Sequence, residues 1–323
     1  MKGLVWRGFI VLISSAVLPV IAAAQPYPSK PIRFVAAFPA GGPSDIVTRA
    51  IGKRMAEILG QPVIVENRSG AGGHIGADSV ARAAPDGYTL LLGGSYLTIG
   101  PSLNKNLPYN PEKDLTKIGL VALNQYVLVT HPSVPVRDVR DLIRLAKARP
   151  GQLNYASSGV GAPPHLATEL FNSMAKIKAV HIPYKGATPA LTDLIAGQVD
   201  FYIGGIAGAL PLAKSGRLRA LAVTGSKRSS QLPDVPTIAE GALPGYEVAT
   251  WFGVVGPGAM PKSIVDRLNE AVTGIVKESA TSRYLASQGL EPTTSTPQEF
   301  AEFFRREIPK FAVIVKAAGI EPR

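Results

Sequence analysis

Short apolar runs along this chain end repeatedly in glycine-rich turns that open onto helical patterns. The clearest case is Phe38-Pro39-Ala40-Gly41-Gly42-Pro43-Ser44-Asp45. It follows a strand-like run, Ile32 to Phe38. It precedes a stretch with apolar residues at Ile46, Val47, Ala50, Ile51, Met55, Ile58 and Leu59, which is helical spacing. Gly41 and Gly42 let the main chain turn sharply and approach a ligand. Ser44 or Asp45 is placed to cap the helix. The remaining first-turn N–H groups and the helix dipole favour a negative group. The same eight residues equally suit a plain strand-to-helix turn, so they constrain the fold class, α/β, more tightly than the function.

The alternation continues. Pro62 to Asn67 reads as a strand, and Gly70-Ala71-Gly72-Gly73-His74-Ile75-Gly76 as a glycine turn into a helix from Ala77 to Ala84. Tyr88 to Leu92 is a strand ending at Gly93-Gly94-Ser95. A second series has strands at Asn154–Ser157, Val180–Pro183, Val199–Ile203 and Leu218–Thr224, with helices predicted at Val136–Arg149, Pro164–Met174 and Thr188–Ala196. Its turns are Ser157 to His165, Tyr184-Lys185-Gly186 and Gly204-Gly205. Two runs, Ile118–Thr130 and Val248–Val255, are long enough to leave one sheet and enter another. The resulting architecture is two βα lobes joined by two crossing strands, with lobe I at 25–124 plus 250–323 and lobe II at 125–249. The blocks match in element order but not in sequence. Each glycine turn falls at the C-terminal end of a strand, the edge where open α/β sheets bind ligands. Two such edges facing across a hinge form a closing cleft.

Residues 1–24 read as a secretory signal: Lys2 and Arg7, an apolar run from Gly8 to Val20, then Ala22-Ala23-Ala24. The rest should be exported to the periplasm. There is no cysteine, which excludes disulfides, thiolate metal sites and cysteine nucleophiles. The net charge is +11, and charged residues make up 18% without a basic run or basic-aromatic ladder. That pattern argues against nucleic acid and for a general field that attracts small anions.

Enzyme readings find little. Gly70 to Gly76 lacks the glycine spacing of a dinucleotide fingerprint. Ser95 lacks the second glycine of a nucleophile elbow. His74, His131, His165 and His181 show no metal-ligand spacing. No cofactor or metal is implied. An exported hydrolase acting on a carboxylate ester, through Ser157 or Ser95, stands as the alternative.

Taken together, Tyr27-Pro28-Ser29-Lys30-Pro31-Ile32, the Phe38–Asp45 turn, Asn67 to Gly76, Ala83 to Leu90, Ser158-Gly159-Val160-Gly161 with His165-Leu166, Pro183 to Gly186, Gly197 to Asp200 and Leu232 to Thr237 resemble the Bug-type receptors of tripartite tricarboxylate transporters. The resemblance runs from Tyr27 to about Gly319. It implies a type II periplasmic binding protein that holds a small carboxylate and delivers it to membrane permease subunits, or presents its loaded state to a sensor ectodomain. A monomer is expected. The implied contacts are Phe38, Ala40, Gly41, Gly42, Ser44, Asp45, Ser95 and Tyr96 in lobe I, and Ser157, Ser158, Gly159, Gly161, His165, Lys185, Gly204 and Gly205 in lobe II. Gly204-Gly205 stands where amine-binding relatives carry an acid, which favours a di- or tricarboxylate or an aromatic acid.

Overall fold

The computed structural model describes residues 27–321. The predicted leader and its cleavage point lie outside the described residues.

In the first half, β1 (Ile32–Ala36) leads into α1 (Pro43–Leu59) and β2 (Val63–Asn67). A single 3-10 turn, Ala71–Gly73, opens α2 (His74–Ala81), followed by β3 (Thr89–Gly94), α3 (Tyr96–Leu103) and β4 (Leu115–Thr130). Next come α4 (Val139–Ala148), β5 (Asn154–Ser157), α5 (Pro163–Ala175), β6 (Val180–Pro183), α6 (Ala187–Ile195), β7 (Phe201–Gly205), α7 (Ile206–Lys214), β8 (Arg219–Val223) and α8 (Ile238–Gly241). The chain returns through β9 (Ala249–Pro257), α9 (Lys262–Lys277), α10 (Ser279–Ser287), β10 (Glu291–Pro292) and α11 (Pro297–Ala317). Helix α2 starts three residues earlier than its apolar spacing predicts, because Gly73 takes the left-handed backbone that starts it. Helices α3 and α7 escape the pattern because each carries an internal proline, Pro101 and Pro211.

Strands run in the order β2-β1-β3-β9-β4-β7-β5-β6. The β2-β1-β3 and β7-β5-β6 groups are parallel, as βα units require. Strand β4 joins them. Its residues Leu115 to Gln125 pair with β9, and Tyr126 to Thr130 pair with β7. The change of partner falls between Gln125 and Tyr126. Register shifts after Lys117 and after Leu120 twist the strand just before that point. Thr224 ties the crossing together. Its Oγ1 accepts from Tyr126 N at 2.9 Å and donates to Val248 O at 2.6 Å, and its side chain is fully buried.

Each lobe is a sheet with helices on both faces, and apolar burial on both sides holds it together. In lobe I, Phe34, Ile51, Met55, Leu268 and Val272 fill one face, and Val35, Val80, Leu91, Trp251, Phe300 and Phe304 the other. In lobe II, Leu142, Tyr155, Phe171 and Phe201 pack with Phe311, Ile314 and Val315 of α11. Helix α11 therefore reaches both cores. It starts on a reciprocal cap, Thr296 with Glu299, and contains Pro309.

Candidate functional site

A cavity of about 590 Å³ opens where the two strand edges meet. Lobe I contributes Phe38 and Pro43 from the first glycine turn, Ala71, Gly72 and His74 from the second, and Gly94, Ser95 and Tyr96 from the third. Helix α3 adds Ile99, Gly100, Leu103 and Asn104. The crossing adds Asn124, Tyr126, Thr250, Trp251 and Phe252, and lobe II adds Gly161 and Pro163. Among the described residues, no Asp, Glu, Lys or Arg stands on these walls.

The first turn of α1 is built around Asp45. Gly42 caps the helix without a side-chain hydrogen bond, so neither Ser44 nor Asp45 is the cap the sequence suggests. The Ser44 hydroxyl is buried without a partner. Asp45 instead reaches back, accepting from Gly41 N at 2.9 Å, Arg49 Nε at 3.0 Å and Asn67 Nδ2 at 2.8 Å. The Arg49 hydrogen bond above all holds its carboxyl down at about 2. Asp45 is thus fully engaged inside the protein. It fixes the turn and leaves the first-turn amides unbonded within the helix.

Lobe II repeats this turn. Gly41 and Gly161 both hold positive φ, +80° and +77°. Each precedes an extended cap residue, Gly42 or Ala162, with no side-chain hydrogen bond, and then a proline at the helix start, Pro43 or Pro163. His165 then stands where Asp45 stands. Its Nδ1 accepts from Gly161 N at 3.1 Å. One turn on, Thr48 and Thr168 each donate to the carbonyl four residues back, Ser44 O at 2.7 Å and Pro164 O at 2.9 Å. Pro43 and Pro163 both face the same cavity. Helices α1, α3, α5, α6 and α7, which follow strand ends, have no side-chain cap. Among the helices that start elsewhere, α4, α8 and α11 are capped by Asp138, Thr237 and Thr296, while α9 and α10 have no side-chain cap.

The remaining candidates are distributed unevenly. Phe38, Ser95, Tyr96 and Gly161 stand on the cavity wall. The Tyr96 ring packs edge-on against Phe38 at 5.3 Å and His74 at 5.7 Å. Ser95 Oγ is occupied, accepting from Trp251 N at 2.9 Å. Ala40, Gly41, Gly42, Ser44 and Asp45 form the turn behind Pro43. Ser157 is fully buried, 2.6 Å from His181 Nε2, and also accepts from Gly159 N. Its hydroxyl braces the turn from inside. Ser158 and Gly159 lie half-buried along that turn, and Lys185 is exposed after β6. Gly204 lies within the sheet, paired with Val127, and any side chain there would collide with the Tyr202 ring. Gly205 starts α7. His165 and His181 stack at 4.1 Å, with Tyr155 against His181 at 4.8 Å. Burial, reinforced by the neighbouring His165, pushes His181 down to about 4, and burial also lowers His165. Both rings are neutral at pH 7. Sequence reasoning missed His74, although it stands in the second glycine turn, and Ile99, Leu103, Asn104, Asn124, Tyr126 and Thr250, none of which belongs to a motif.

Comparison with known proteins agrees with this fold. Residues 47–320 match TctC, the tripartite tricarboxylate transporter family receptor. The chain is 38% identical over 311 residues to Protein BugT of Bordetella pertussis, covering 96% of this chain and 95% of that one. Rpa4515 of R. palustris, solved with adipate, superposes with a TM-score of 0.75 at 36% identity, over 92% of this chain and all of that one. MatC of Rhodopseudomonas palustris, solved with bound malate, gives 0.70 at 33% identity over 90% of this chain and all of that one. A TctC solute-binding protein from Polaromonas without ligand gives 0.82 at 27% identity, over 90% and 99%. Such proteins are substrate-binding receptors, which removes the ester-hydrolase alternative. With a matched turn in each lobe, a cavity between them and a match over most of its length, this chain belongs to the tripartite tricarboxylate transporter receptor family.

Proposed function

We propose that the protein captures a small carboxylate in the periplasm, closes its lobes on it, and delivers it to the permease subunits of a tripartite tricarboxylate transporter. The observation that carries this reading is the duplicated turn. Two uncapped helix starts, one per lobe, flank a single cavity whose walls hold no formal charge. Backbone amides suit a carboxylate because each such bond contributes roughly 1.5–3 kcal/mol net. A helix N-terminus adds about 0.3–1 kcal/mol. A few contacts of this kind, less the cost of ordering two lobes, give about 8 kcal/mol, which is micromolar binding. The amides of Ser44 and Asp45 would hold the anion from lobe I, and that of His165 from lobe II, since those of Gly41, Gly42 and Gly161 are bonded within their turns. The side chains of Asp45 and His165 set the two turns and would not themselves touch the anion.

The ligands of Rpa4515 and MatC, adipate and malate, support a carboxylate here. The higher TM-score to the ligand-free Polaromonas protein, despite lower identity, supports reading this conformation as the open one. The protein would act as a monomer, since each chain carries both halves of the site. The test is a thermal-shift and native mass spectrometry screen of mature protein stripped of ligand by unfolding and refolding. At least one carboxylate should raise the melting temperature in a dose-dependent way and appear as a one-to-one adduct. A folded, stripped protein that answers to no carboxylate would overturn the reading.

A further inference from the structure

Resting on the carboxylate reading above, we propose that the cleft selects acids whose body carries no hydroxyl groups, aliphatic or aromatic, over hydroxylated acids of the same length and charge. Away from the two turns, the cavity follows α3. Helix α3 presents Ile99 and Leu103, and Phe38, Tyr126 and Phe252 complete an apolar sleeve. From Tyr96 to Asn104 this wall is about 12 Å long, at 1.5 Å per residue.

Several polar atoms on the wall are engaged already, and the Tyr96 hydroxyl and Trp251 Nε1, though without a partner, are buried out of a ligand's reach, which leaves the Asn124 side chain and Asn104 Nδ2 as open groups. The Tyr126 hydroxyl pairs with Thr250 Oγ1 at 3.0 Å, and His74 Nδ1 with the Tyr109 hydroxyl at 2.7 Å. Ser95 Oγ accepts from Trp251 N, and Asn104 Oδ1 accepts from Asn106 N at 2.9 Å. A ligand hydroxyl pressed against this sleeve gives up its water and finds few partners in return. An unhydroxylated chain or ring releases water from apolar surface and loses nothing. With no Asp, Glu, Lys or Arg on the walls, an amine or a third carboxylate would also enter without a countercharge. Selection therefore acts on the body, while the turns hold the anionic end.

The experiment is titration calorimetry on the stripped mature protein with two matched pairs. Adipate and galactarate are six-carbon diacids that differ only in four hydroxyls. Phenylacetate and mandelate differ in one. In each pair that binds, the hydroxylated member should be weaker, by about 100-fold or more for galactarate, since an apolar pocket disfavours even one added hydroxyl by about that factor. Leu103→Asn, at a half-buried wall position, should narrow the adipate-to-galactarate ratio. Galactarate or mandelate binding within about tenfold of its partner would overturn the selectivity and leave the carboxylate reading intact. An unchanged ratio in Leu103→Asn would overturn the placement of the body along α3. If no acid in these pairs or in the broad carboxylate screen binds folded protein, the carboxylate reading itself falls.

Discussion

Asp45 and His165 occupy the same place in the two turns and do the same work with different chemistry. Each accepts from the glycine amide four residues earlier. Replacing Asp45 with Ala strands the Gly41 amide, Arg49 and Asn67 together. Chemical denaturation should show a loss of about 1–3 kcal/mol, with weaker ligand binding. Because the folded carboxyl lies near 2, below its ordinary value of 3.8, its contribution is intact above pH 4 and fades as pH falls from there towards 2. Histidine 181 acts in the same direction over a higher range. The unfolded ring takes its proton near 6.5 and the folded ring only near 4, so acidification across that window favours the unfolded chain. Melting temperature should drop between pH 6.5 and 4, and His181→Gln should flatten the drop, with the neighbouring His165 still titrating. Gly41 and the importance of Asp45 were legible in the sequence, because a turn is local. The sequence offered Ser157 as a ligand contact but not its pairing with His181, which lies on the neighbouring strand, and strand pairing is not local.

Among the elements, β4 sets the behaviour of the hinge. Its length was readable, and so was the return through β9. What could not be read was where β4 changes partners, because Gln125 and Tyr126 look like any two residues of an apolar run. The clasp at Thr224 was hidden for the same reason. Thr224→Val keeps the shape but leaves the buried Tyr126 amide without an acceptor, costing about 1–3 kcal/mol. Hydrogen exchange should speed up at Tyr126 and Val248 before it does in either lobe core; unchanged protection there would show that Thr224 does not clasp the crossing. Helix α3 was missed outright. Gly100 and Pro101 break its helical period, yet it supplies much of the cavity wall, so Phe38 and Tyr96 were legible as wall residues while Ile99 and Leu103 were not.

At the scale of the molecule, the proposed capture brings the two turns towards each other. Solution scattering should show a smaller radius of gyration once a binding acid is added, and identical profiles would show that the lobes do not close. The two crossing strands alone would let the lobes swing in more than one direction. The long C-terminal helix adds a constraint. Phe300 and Phe304 anchor one end of it in the lobe I core, and Phe311, Ile314 and Val315 anchor the other in lobe II. Pro309 lies between those anchors, where it removes a rung from the helix ladder and makes bending easier. Pro309→Ala should stiffen the helix, favour the open form and weaken ligand binding several-fold without lowering thermal stability; an unchanged affinity would show that α11 does not bend during closure. Helix α11 then behaves as a leaf spring clamped at both ends. On that prediction it would be flexed each time a ligand is enclosed, and its recoil would help the emptied receptor reopen for the next one.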